Sequence, residues 1–314
     1  MRVGLMIPPG GPATQMTGLA REAEDLGFDF LACGEHLFFH GPTANAFIAL
    51  AAAAGATERI RLLSALTILP VYPAALAAKM IATLDGVSGG RFELGVGVGG
   101  EFPAEFEACG IPVAERGRRT DEALTVLAKL FTGEPVHVAG RYTTLAGQRL
   151  QPVPVQQPRP PIWVGGRREA SMIRAGRYAD GWLPYLITPE RLASGLVTAR
   201  DAAVRDGRAP GEVRGGVYCW LTVDADGNWA RRTVADTVSA IYQQDLRPKA
   251  GQLLVAGTPG EVVTRLREYA SAGAESLVFA PACGDTDLPR VIATFAEEVL
   301  PQVQDAAAEV SGRA

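Results

Sequence analysis

The most constraining feature of this sequence is an alternation of short apolar runs with longer segments of helical character. Eight runs have the length and composition of strands, and most neighbours are separated by apolar residues at helical spacing. Strands that are apolar throughout are typical of a parallel sheet covered on both faces. The pattern predicts an α/β fold, a (β/α)8 TIM barrel. An open doubly wound sheet is the alternative, although no GxGxxG motif follows the first strand. The predicted strands start near Arg2, Phe30, Ile60, Phe92, Ile162, Trp182, Val217 and Ser276.

One unit, residues 73–100, shows the expected order of elements in full. Pro73 suits the first position of a helix, where its missing N–H is not needed. Ser88-Gly89-Gly90 then ends the helix, because glycine readily takes the left-handed conformation of a last turn. A strand at 92–96 leads into Gly97-Val98-Gly99-Gly100. Small residues here would let a flat ligand lie against bare backbone, although a plain barrel turn has the same composition.

Two segments interrupt the alternation. Residues 136–138 and 142–145 flank Gly140 and predict a hairpin inserted after the fourth helix. Residues 224–258 are polar and predict a partly helical, mobile segment that is either a lid or an insertion. We expect the whole chain, residues 1–314, to form a single barrel domain, because barrels of this length are common.

Composition argues against several classes of function. A net charge of −4 and a sequence pI of about 5.6 argue against nucleic acid as the main partner. The sequence has no apolar run of about eighteen residues and no signal peptide before its first strand, so it predicts neither a membrane span nor secretion. Its four cysteines are scattered without a CxxC motif, which predicts no metal site and a cytoplasmic protein with reduced thiols.

Candidate chemistry is expected where strands end, because the active site of a barrel lies at the carboxyl ends of its strands. His36 follows the second strand, next to Glu35, and a histidine there can hold or transfer a proton near neutral pH. A buried histidine bonded to backbone is the alternative. No serine or cysteine occupies a nucleophile elbow, so an organic cofactor is a better source of chemistry than covalent hydrolysis. Other residues that follow strands are Pro8, Thr67, Glu101, Gly165, Gly166 and Tyr185.

Several segments together resemble the bacterial-luciferase-like superfamily of flavin and deazaflavin enzymes. They occur in the order typical of that family, extend over most of the chain, and most resemble its F420-dependent oxidoreductase branch. The segments are Gly34-Glu35-His36, Ser64-Ala65-Leu66-Thr67, LDGVSGGRFELGVGVGG (84–100), GIPVAERGRRTDEAL (110–124), QPVPVQQPRPPIWVGG (151–166), GRYADGW (176–182) and GTPGEVVTRLREYASAGAESLVF (257–279).

The resemblance implies a barrel that binds coenzyme F420, or alternatively FMN, at the carboxyl ends of its strands. In the F420 branch an acid–histidine pair lies over the reactive part of the ring, which implies that Glu35 and His36 are catalytic. We expect Glu35 to orient His36, and the alternative is that it pairs with a nearby arginine. A cis peptide bond is expected behind the ring, near Ser64-Ala65. The implied cofactor-binding residues are Pro8, Ser64, Ala65, Thr67, Gly97, Val98, Gly99, Val164, Gly165 and Gly166.

The substrate side departs from one pattern within the superfamily. Its sugar-phosphate dehydrogenases have a tryptophan shortly after the histidine, where this chain has Phe39 and His40. They also have a glutamate directly after the glycine loop, whereas Glu101 comes one glycine later. Sugar-phosphate oxidation is therefore not carried over to this chain. The residues expected to face the substrate are Phe39, His40, Glu101 and Trp182.

Three functions are compatible with these residues and with the family resemblance. The leading hypothesis is an F420-dependent oxidoreductase that transfers a hydride between the deazaflavin and a small organic substrate. The alternatives are a two-component monooxygenase that uses reduced FMN and oxygen, and a non-catalytic flavin- or deazaflavin-binding protein. The expected partners are a small-molecule substrate, a separate flavin or F420 reductase, and a second copy of the chain if helix 44–56 forms a dimer face.

Overall fold

The computed structural model of the protein describes residues 1–8 and 16–304. Within these ranges the strands are β1 (Arg2–Met6), β2 (Phe30–Cys33), β3 (Arg61–Ser64), β4 (Thr67–Ile68), β5 (Phe92–Gly97), β6 (Val136–Ala139), β7 (Thr144–Gln148), β8 (Ile162–Gly165), β9 (Gly181–Leu183), β10 (Arg214–Val223), β11 (Val255–Gly257) and β12 (Ala274–Pro281). The α-helices are α1 (Met16–Asp25), α2 (Ala46–Ala56), α3 (Ala74–Val87), α4 (Pro103–Ala108), α5 (Arg116–Leu130), α6 (Glu169–Tyr178), α7 (Pro189–Arg205), α8 (Gly227–Tyr242), α9 (Ala250–Leu253), α10 (Pro259–Ser271) and α11 (Leu288–Thr294). None of these helices is long and apolar enough to cross a membrane.

Eight parallel strands form a closed barrel. Their order is β1-β2-β3-β5-β8-β9-β10-β12, and β12 pairs with β1 to complete the ring. The predicted (β/α)8 barrel is confirmed, with strand positions close to those that the sequence indicates.

The alternation of side chains along each strand divides the core in two. Outward-pointing residues such as Leu31 and Leu62 join helix residues in one large buried cluster. Their neighbours Phe30, Ala32 and Leu63 belong to a second, smaller cluster inside the barrel. The inner cluster forms the floor beneath the carboxyl ends of the strands, where the candidate site lies.

The two segments predicted to interrupt the strand–helix alternation form additional strands and helices. β6 and β7 form the predicted antiparallel hairpin, with Ala139 opposite Thr144. The segment after β10 is partly helical, as predicted, and consists of α8, α9 and the short strand β11. β11 pairs with the end of β10, where Leu221 lies opposite Val255. The mobility of this segment stays a prediction.

The amino-terminal end of the barrel is closed by a buried charge cluster around Glu93 on β5. Its side chain accepts hydrogen bonds from Arg2 Nη2 at 2.8 Å, Arg61 Nε at 2.5 Å and Trp163 Nε1 at 2.8 Å. Burial alone would raise the pKa of Glu93, but the two arginines and the tryptophan N–H outweigh it and lower that pKa. Glu93 is therefore held as a carboxylate at this end.

Candidate active site

A cavity of about 570 Å³ opens at the carboxyl ends of the barrel strands. This size is typical of pockets for small molecules and cofactors. Most of its lining is apolar side chain or glycine backbone, and no lysine or arginine is among the described residues that line it. The lining residues are Met6, Ile7, Pro8, Met16, Cys33, Gly34, Glu35, His36, Phe39, Pro42, Thr43, Ala44, Ala65, Leu66, Ile68, Gly97, Val98, Gly99, Glu101, Gly165, Gly166, Leu183, Tyr185, Tyr218, Trp220, Ile241 and Tyr242.

His36 lies in the wall of this cavity and is oriented by Glu105. Its Nδ1 is 3.0 Å from Oε1 of Glu105, a side chain on α4 that is fully buried. The same oxygen accepts the backbone N–H of Leu37 at 2.7 Å and of Phe38 at 3.3 Å. Because two donors already converge on that oxygen, we assign Nδ1 as the third donor. Nε2, the nitrogen that remains, has no hydrogen-bond partner among the described residues.

Aromatic rings fix the plane of the His36 imidazole. Phe39 stacks on it with ring centroids 4.6 Å apart, and Phe102 meets it edge-on at 5.6 Å. The second oxygen of Glu105, Oε2, is buried and has no partner among the described residues. His36 is therefore held in one orientation at the wall of the cavity.

Glu35 has a different position from the one expected. Its Oε1 accepts the backbone N–H of Ile68 at 2.9 Å, and its Oε2 accepts the hydroxyl of Tyr72 at 3.1 Å. The Asn45 side chain and the Ala46 N–H also donate to Oε2, each at 3.3 Å. These four donors occupy both oxygens, so the prediction that Glu35 orients His36 is wrong. Burial raises the pKa of Glu35, and these hydrogen bonds offset only part of that rise.

Seven of the ten residues predicted to bind a cofactor lie in the cavity wall. They are Pro8, Ala65, Gly97, Val98, Gly99, Gly165 and Gly166. Whether they bind a cofactor stays a prediction. The remaining three, Ser64, Thr67 and Val164, do not line the cavity.

The strand pleat explains these three exceptions. The Ser64 hydroxyl donates to the carbonyl of Gly95 at 3.1 Å and accepts its N–H at 2.9 Å, so it joins β3 to β5. Val164 points into the outer cluster between barrel and helices. Thr67 is fully buried, and its Oγ1 has no hydrogen-bond partner among the described residues. Whether these three residues contact a cofactor stays a prediction.

The backbone at β3 and β8 gives the cavity a wall of small residues. The predicted cis peptide bond is present and joins Ala65 to Leu66, one residue beyond Ser64-Ala65. A Cβ at Gly165 would lie 2.0 Å from Leu66 Cδ1 and 3.2 Å from the Leu183 carbonyl oxygen, so a larger residue there would require the Leu66 side chain to move. Gly166 has a φ of 104°, which also favours glycine. A flat ring fits such a wall, because no side chain at Gly97, Gly99 or Gly165 projects into the space.

Two of the four residues predicted to face the substrate line the cavity, and two do not. Phe39 and Glu101 line the cavity, whereas His40 and Trp182 do not. His40 is exposed and packs edge-on against Phe102 at 4.8 Å. Trp182 is fully buried on the outer face of β9, so close to α7 that a Cβ at Gly195 would lie 2.3 Å from it. The prediction for Trp182 is wrong because its neighbour Leu183 has the inward position.

Two sets of residues at the site are not evident as functional residues from the sequence. Glu105 is separated from His36 by 69 positions, and no local motif joins them. Tyr218, Trp220 and Tyr242 also lie in the wall. Tyr218 and Trp220 could have been found from the alternation along β10, since residues two apart on a strand point the same way. Tyr242 lies at the end of a helix in the polar segment and gives no such signal.

Residues 1–276 match the family model described as luciferase-like monooxygenase. The chain belongs to this family. Luciferase-like enzymes are oxidoreductases or monooxygenases, so the prediction that the protein is an enzyme of this class is confirmed. No group of three or more His, Cys, Asp or Glu that could hold a metal ion occurs in residues 1–8 and 16–304 of this luciferase-like protein.

Known relatives of the luciferase-like chain include both characterised and uncharacterised proteins. An uncharacterised protein from Mycobacterium tuberculosis is 34% identical over 160 residues, which is 51% of this chain and 54% of that protein. The match thus spans about half the length of the curated relative. Monooxygenase RslO1 from Streptomyces bottropensis is 27% identical with a TM-score of 0.84, and the match covers 96% of this chain and 99% of that one.

Two further structures share the fold at lower identity. The coenzyme F420-dependent tetrahydromethanopterin reductase from Methanopyrus kandleri is 22% identical, with a TM-score of 0.81 and coverage of 96% and 99%. The oxygenating constituent of 3,6-diketocamphane monooxygenase from Pseudomonas putida, solved with FMN, is 22% identical, with a TM-score of 0.79 and coverage of 96% and 99%. The barrel is therefore common to proteins that use either cofactor.

Proposed function

We propose that this protein is an F420-dependent oxidoreductase that transfers a hydride between the deazaflavin and a small organic substrate. The observation that carries the proposal is the arrangement of His36 at the wall of an apolar cavity, where Glu105 holds Nδ1 and Nε2 has no hydrogen-bond partner among the described residues. Oxidation of an alcohol removes a hydride from carbon and a proton from oxygen. A positioned base beside an apolar cavity meets the second requirement.

The residues present fit a flat cofactor ring. The wall formed by Ala65, Gly97, Gly99 and Gly165 offers backbone and small side chains, and the cavity has the volume of a cofactor pocket. Gly166 comes just before α6, where backbone N–H groups and the helix dipole favour a phosphate group. A bound deazaflavin supplies the carbon that gives or accepts the hydride.

The chain's own residues have distinct roles in this proposal. His36 accepts the substrate proton at Nε2, or returns it there in the reverse direction. Glu105 holds the imidazole with the other proton on Nδ1 and stabilises the ring when it becomes charged. Glu35 fixes the backbone of Ile68 and Ala46 behind the cavity, and the apolar lining excludes water.

A second candidate is a two-component monooxygenase that uses reduced FMN from a separate reductase. The likeness to monooxygenase RslO1, at the highest identity and TM-score among the three structures compared, favours it. The same cavity and histidine serve both candidates. They differ in the cofactor that the glycine-lined wall selects.

Cofactor binding separates the two candidates. Purified protein is titrated with F420 and with FMN, each oxidised and reduced, while tryptophan fluorescence is followed. We expect tight binding of F420 and negligible binding of FMN. The reverse result would refute the F420 proposal and support the monooxygenase. Binding of either cofactor without turnover over a substrate panel, with and without oxygen, would instead indicate a non-catalytic binding protein.

Substitution of His36 tests the proton-transfer role. His36→Ala is expected to lower kcat by about 10²–10⁴-fold, the usual contribution of a general base. Cofactor affinity should stay within a few-fold, because the imidazole is only one part of a large wall. His137→Ala is the control, since His137 is exposed on the hairpin strand β6. Unchanged turnover in His36→Ala would contradict the role.

A further inference from the structure

One side of the cavity is formed almost entirely by aromatic rings. In the eight-strand ring β9 and β10 are four places from β2 and β3, so they lie across the barrel from His36 and from the Ala65–Leu66 bond. Tyr185 follows β9, Tyr218 and Trp220 lie on β10, and Tyr242 ends α8. We call these four residues the aromatic wall.

The rings of the aromatic wall contact one another. Tyr185 stacks on Tyr242 with centroids 6.3 Å apart and planes 20° apart. Trp220 meets Tyr218 edge-on at 5.4 Å and Tyr242 at 6.3 Å. Trp220 Nε1 also donates a hydrogen bond to the Tyr242 hydroxyl at 3.3 Å. Mutual contact fixes the ring angles before any ligand binds, which lowers the entropic cost of binding.

The segment that supplies Tyr242 is attached to the barrel. Val234 and Val238 of α8 pack in the inner cluster together with Trp220. The strand β11 that follows pairs with β10. Tyr242 is therefore placed by the same strand that carries Tyr218 and Trp220.

The aromatic wall offers hydrogen-bond donors without positive charge. Burial raises the pKa of Tyr242 to about 12 and also raises those of Tyr185 and Tyr218, so all three phenols are neutral at ordinary pH. Tyr185 donates its hydroxyl hydrogen to Glu101, and the Arg167 guanidinium, which is not among the described lining residues, lies over the Tyr185 ring at 4.7 Å from the ring centroid. An anionic substrate such as a sugar phosphate would find no basic side chain among the described lining residues.

We propose that the aromatic wall is the substrate subsite and that it takes a flat aromatic ring system with an uncharged oxygen function, such as a bicyclic phenol or aryl ketone. Aromatic rings attract one another at centroid distances of about 4.5–7 Å, in stacked or edge-on geometry, and the wall presents both. The substrate oxygen would then face His36 across the cavity. This inference rests on the proposed function, in which the glycine-lined side holds the cofactor ring.

Two probes of equal carbon skeleton test the aromatic requirement. The affinities of 2-naphthol and decahydro-2-naphthol are measured by calorimetry on the wild-type protein, with and without the cofactor that it binds. We expect 2-naphthol to bind at least ten-fold more tightly, because only its rings can stack on the wall. Glucose 6-phosphate should show no binding. Equal affinity for the two naphthols would overturn the proposal, and this arm needs no variant.

Substitutions in the aromatic wall test whether 2-naphthol binds there. Tyr242→Leu should weaken 2-naphthol at least ten-fold and leave the cofactor dissociation constant within two-fold, whereas Tyr242→Phe should stay within three-fold of wild type for both. Tyr185→Leu provides a second ring deletion at a different element, and Tyr142→Leu on the hairpin side of the molecule is the control. Folding of each variant is checked by circular dichroism. Unchanged 2-naphthol affinity in both ring deletions would overturn the proposal.

The same data separate this inference from the proposed function. If cofactor binds and the naphthol preference is absent, the substrate subsite is wrong and the proposed function stands. If neither cofactor binds but 2-naphthol still depends on Tyr242, the proposed function is wrong and the subsite stands.

Discussion

The two ends of the barrel each bury a glutamate, and they hold it in opposite ways. At the amino-terminal end, Glu93 accepts hydrogen bonds from two arginines and a tryptophan. At the carboxyl-terminal end, the donors to Glu35 within the described part of the chain are all neutral: two backbone N–H groups, a tyrosine and an asparagine. The pKa of Glu93 is lowered, whereas burial raises that of Glu35.

The difference indicates that the amino-terminal end of the barrel stabilises the fold, whereas the carboxyl-terminal end holds the candidate active site. A carboxylate between two cations cannot change its protonation without losing ion pairs, so the Glu93 cluster fixes the strand register there. The carboxyl-terminal end has no lysine or arginine among its described cavity-lining residues. Its buried acids, Glu35 and Glu105, are held by hydrogen bonds that do not require a partner of opposite charge. Glu→Gln substitutions, which remove charge but keep shape, test this contrast directly.

The largest effect is expected at the amino-terminal end. Glu93→Gln should lower the free energy of unfolding by about 3 kcal/mol, because it leaves Arg2 and Arg61 facing a neutral amide. Urea unfolding followed by circular dichroism measures this, with the exposed Glu107→Gln as the control. A loss of stability as small as that of the control would show that the ion pairs of Glu93 do not stabilise the fold.

A smaller loss is expected for Glu35→Gln. The glutamine amide keeps one carbonyl oxygen as an acceptor, but its N–H₂ group faces groups that donate to the second oxygen of Glu35. Leaving these donors without an acceptor should lower the free energy of unfolding by about 1–2 kcal/mol. The same unfolding experiment applies, run beside Glu93→Gln under one set of conditions. If Glu35→Gln proved the more destabilising of the two, the contrast between the ends would fail.

The pH dependence of these losses should have opposite signs. The lowered pKa of Glu93 means that its stabilisation is present above the ordinary value of 4.5 and is lost as the pH falls below it toward the folded-state pKa. The raised pKa of Glu35 means that its relative stabilisation is present below 4.5 and is lost as the pH rises through the folded-state pKa. As the pH is lowered, the free energy of unfolding of the wild type should therefore rise relative to that of Glu35→Gln. Over the same change it should fall relative to that of Glu93→Gln. Unfolding at several pH values gives both slopes, and slopes of equal sign would refute the assignment.

The smallest loss is expected for Glu105→Gln. Its carbonyl can still accept from His36 and the two backbone N–H groups, so we expect a cost below about 1 kcal/mol and an unchanged KM. Glu105→Ala removes the acceptor of all three donors and should lower both stability and kcat more strongly. Equal kcat values for the Gln and Ala variants would show that Glu105 does not position His36.

The barrel could be predicted from the sequence because its evidence is local. Strand composition, helical spacing and glycine turns each depend on a few neighbouring residues. The glycine wall was predictable for the same reason, since Gly97, Gly99, Gly165 and Gly166 follow strands whose ends meet at one place. The candidate role of His36 follows from its position after β2, which is likewise local information.

What the sequence could not reveal depends on contacts between distant residues. The partner of His36 is Glu105 rather than the adjacent Glu35, because Glu35 instead accepts the backbone N–H of Ile68 and Glu105 comes from a helix 69 positions away along the chain. The expectation for Trp182 fails by one residue, because the pleat of β9 turns Trp182 outward and Leu183 toward the cavity. The aromatic wall combines rings from β9, β10 and α8, and no motif of one segment contains them all.

The pairing of β11 with β10 has a consequence for engineering this barrel. Val223 lies opposite Gly257, and the Asp224 N–H donates to the Gly257 carbonyl at 3.2 Å, so the two ends of segment 224–257 are joined to each other. Because the cost of closing a loop grows slowly with its length, such a segment can be exchanged as a unit if its end pairing is kept. Chimeras that transplant this segment between barrels should change which molecules are accepted while leaving the glycine wall intact.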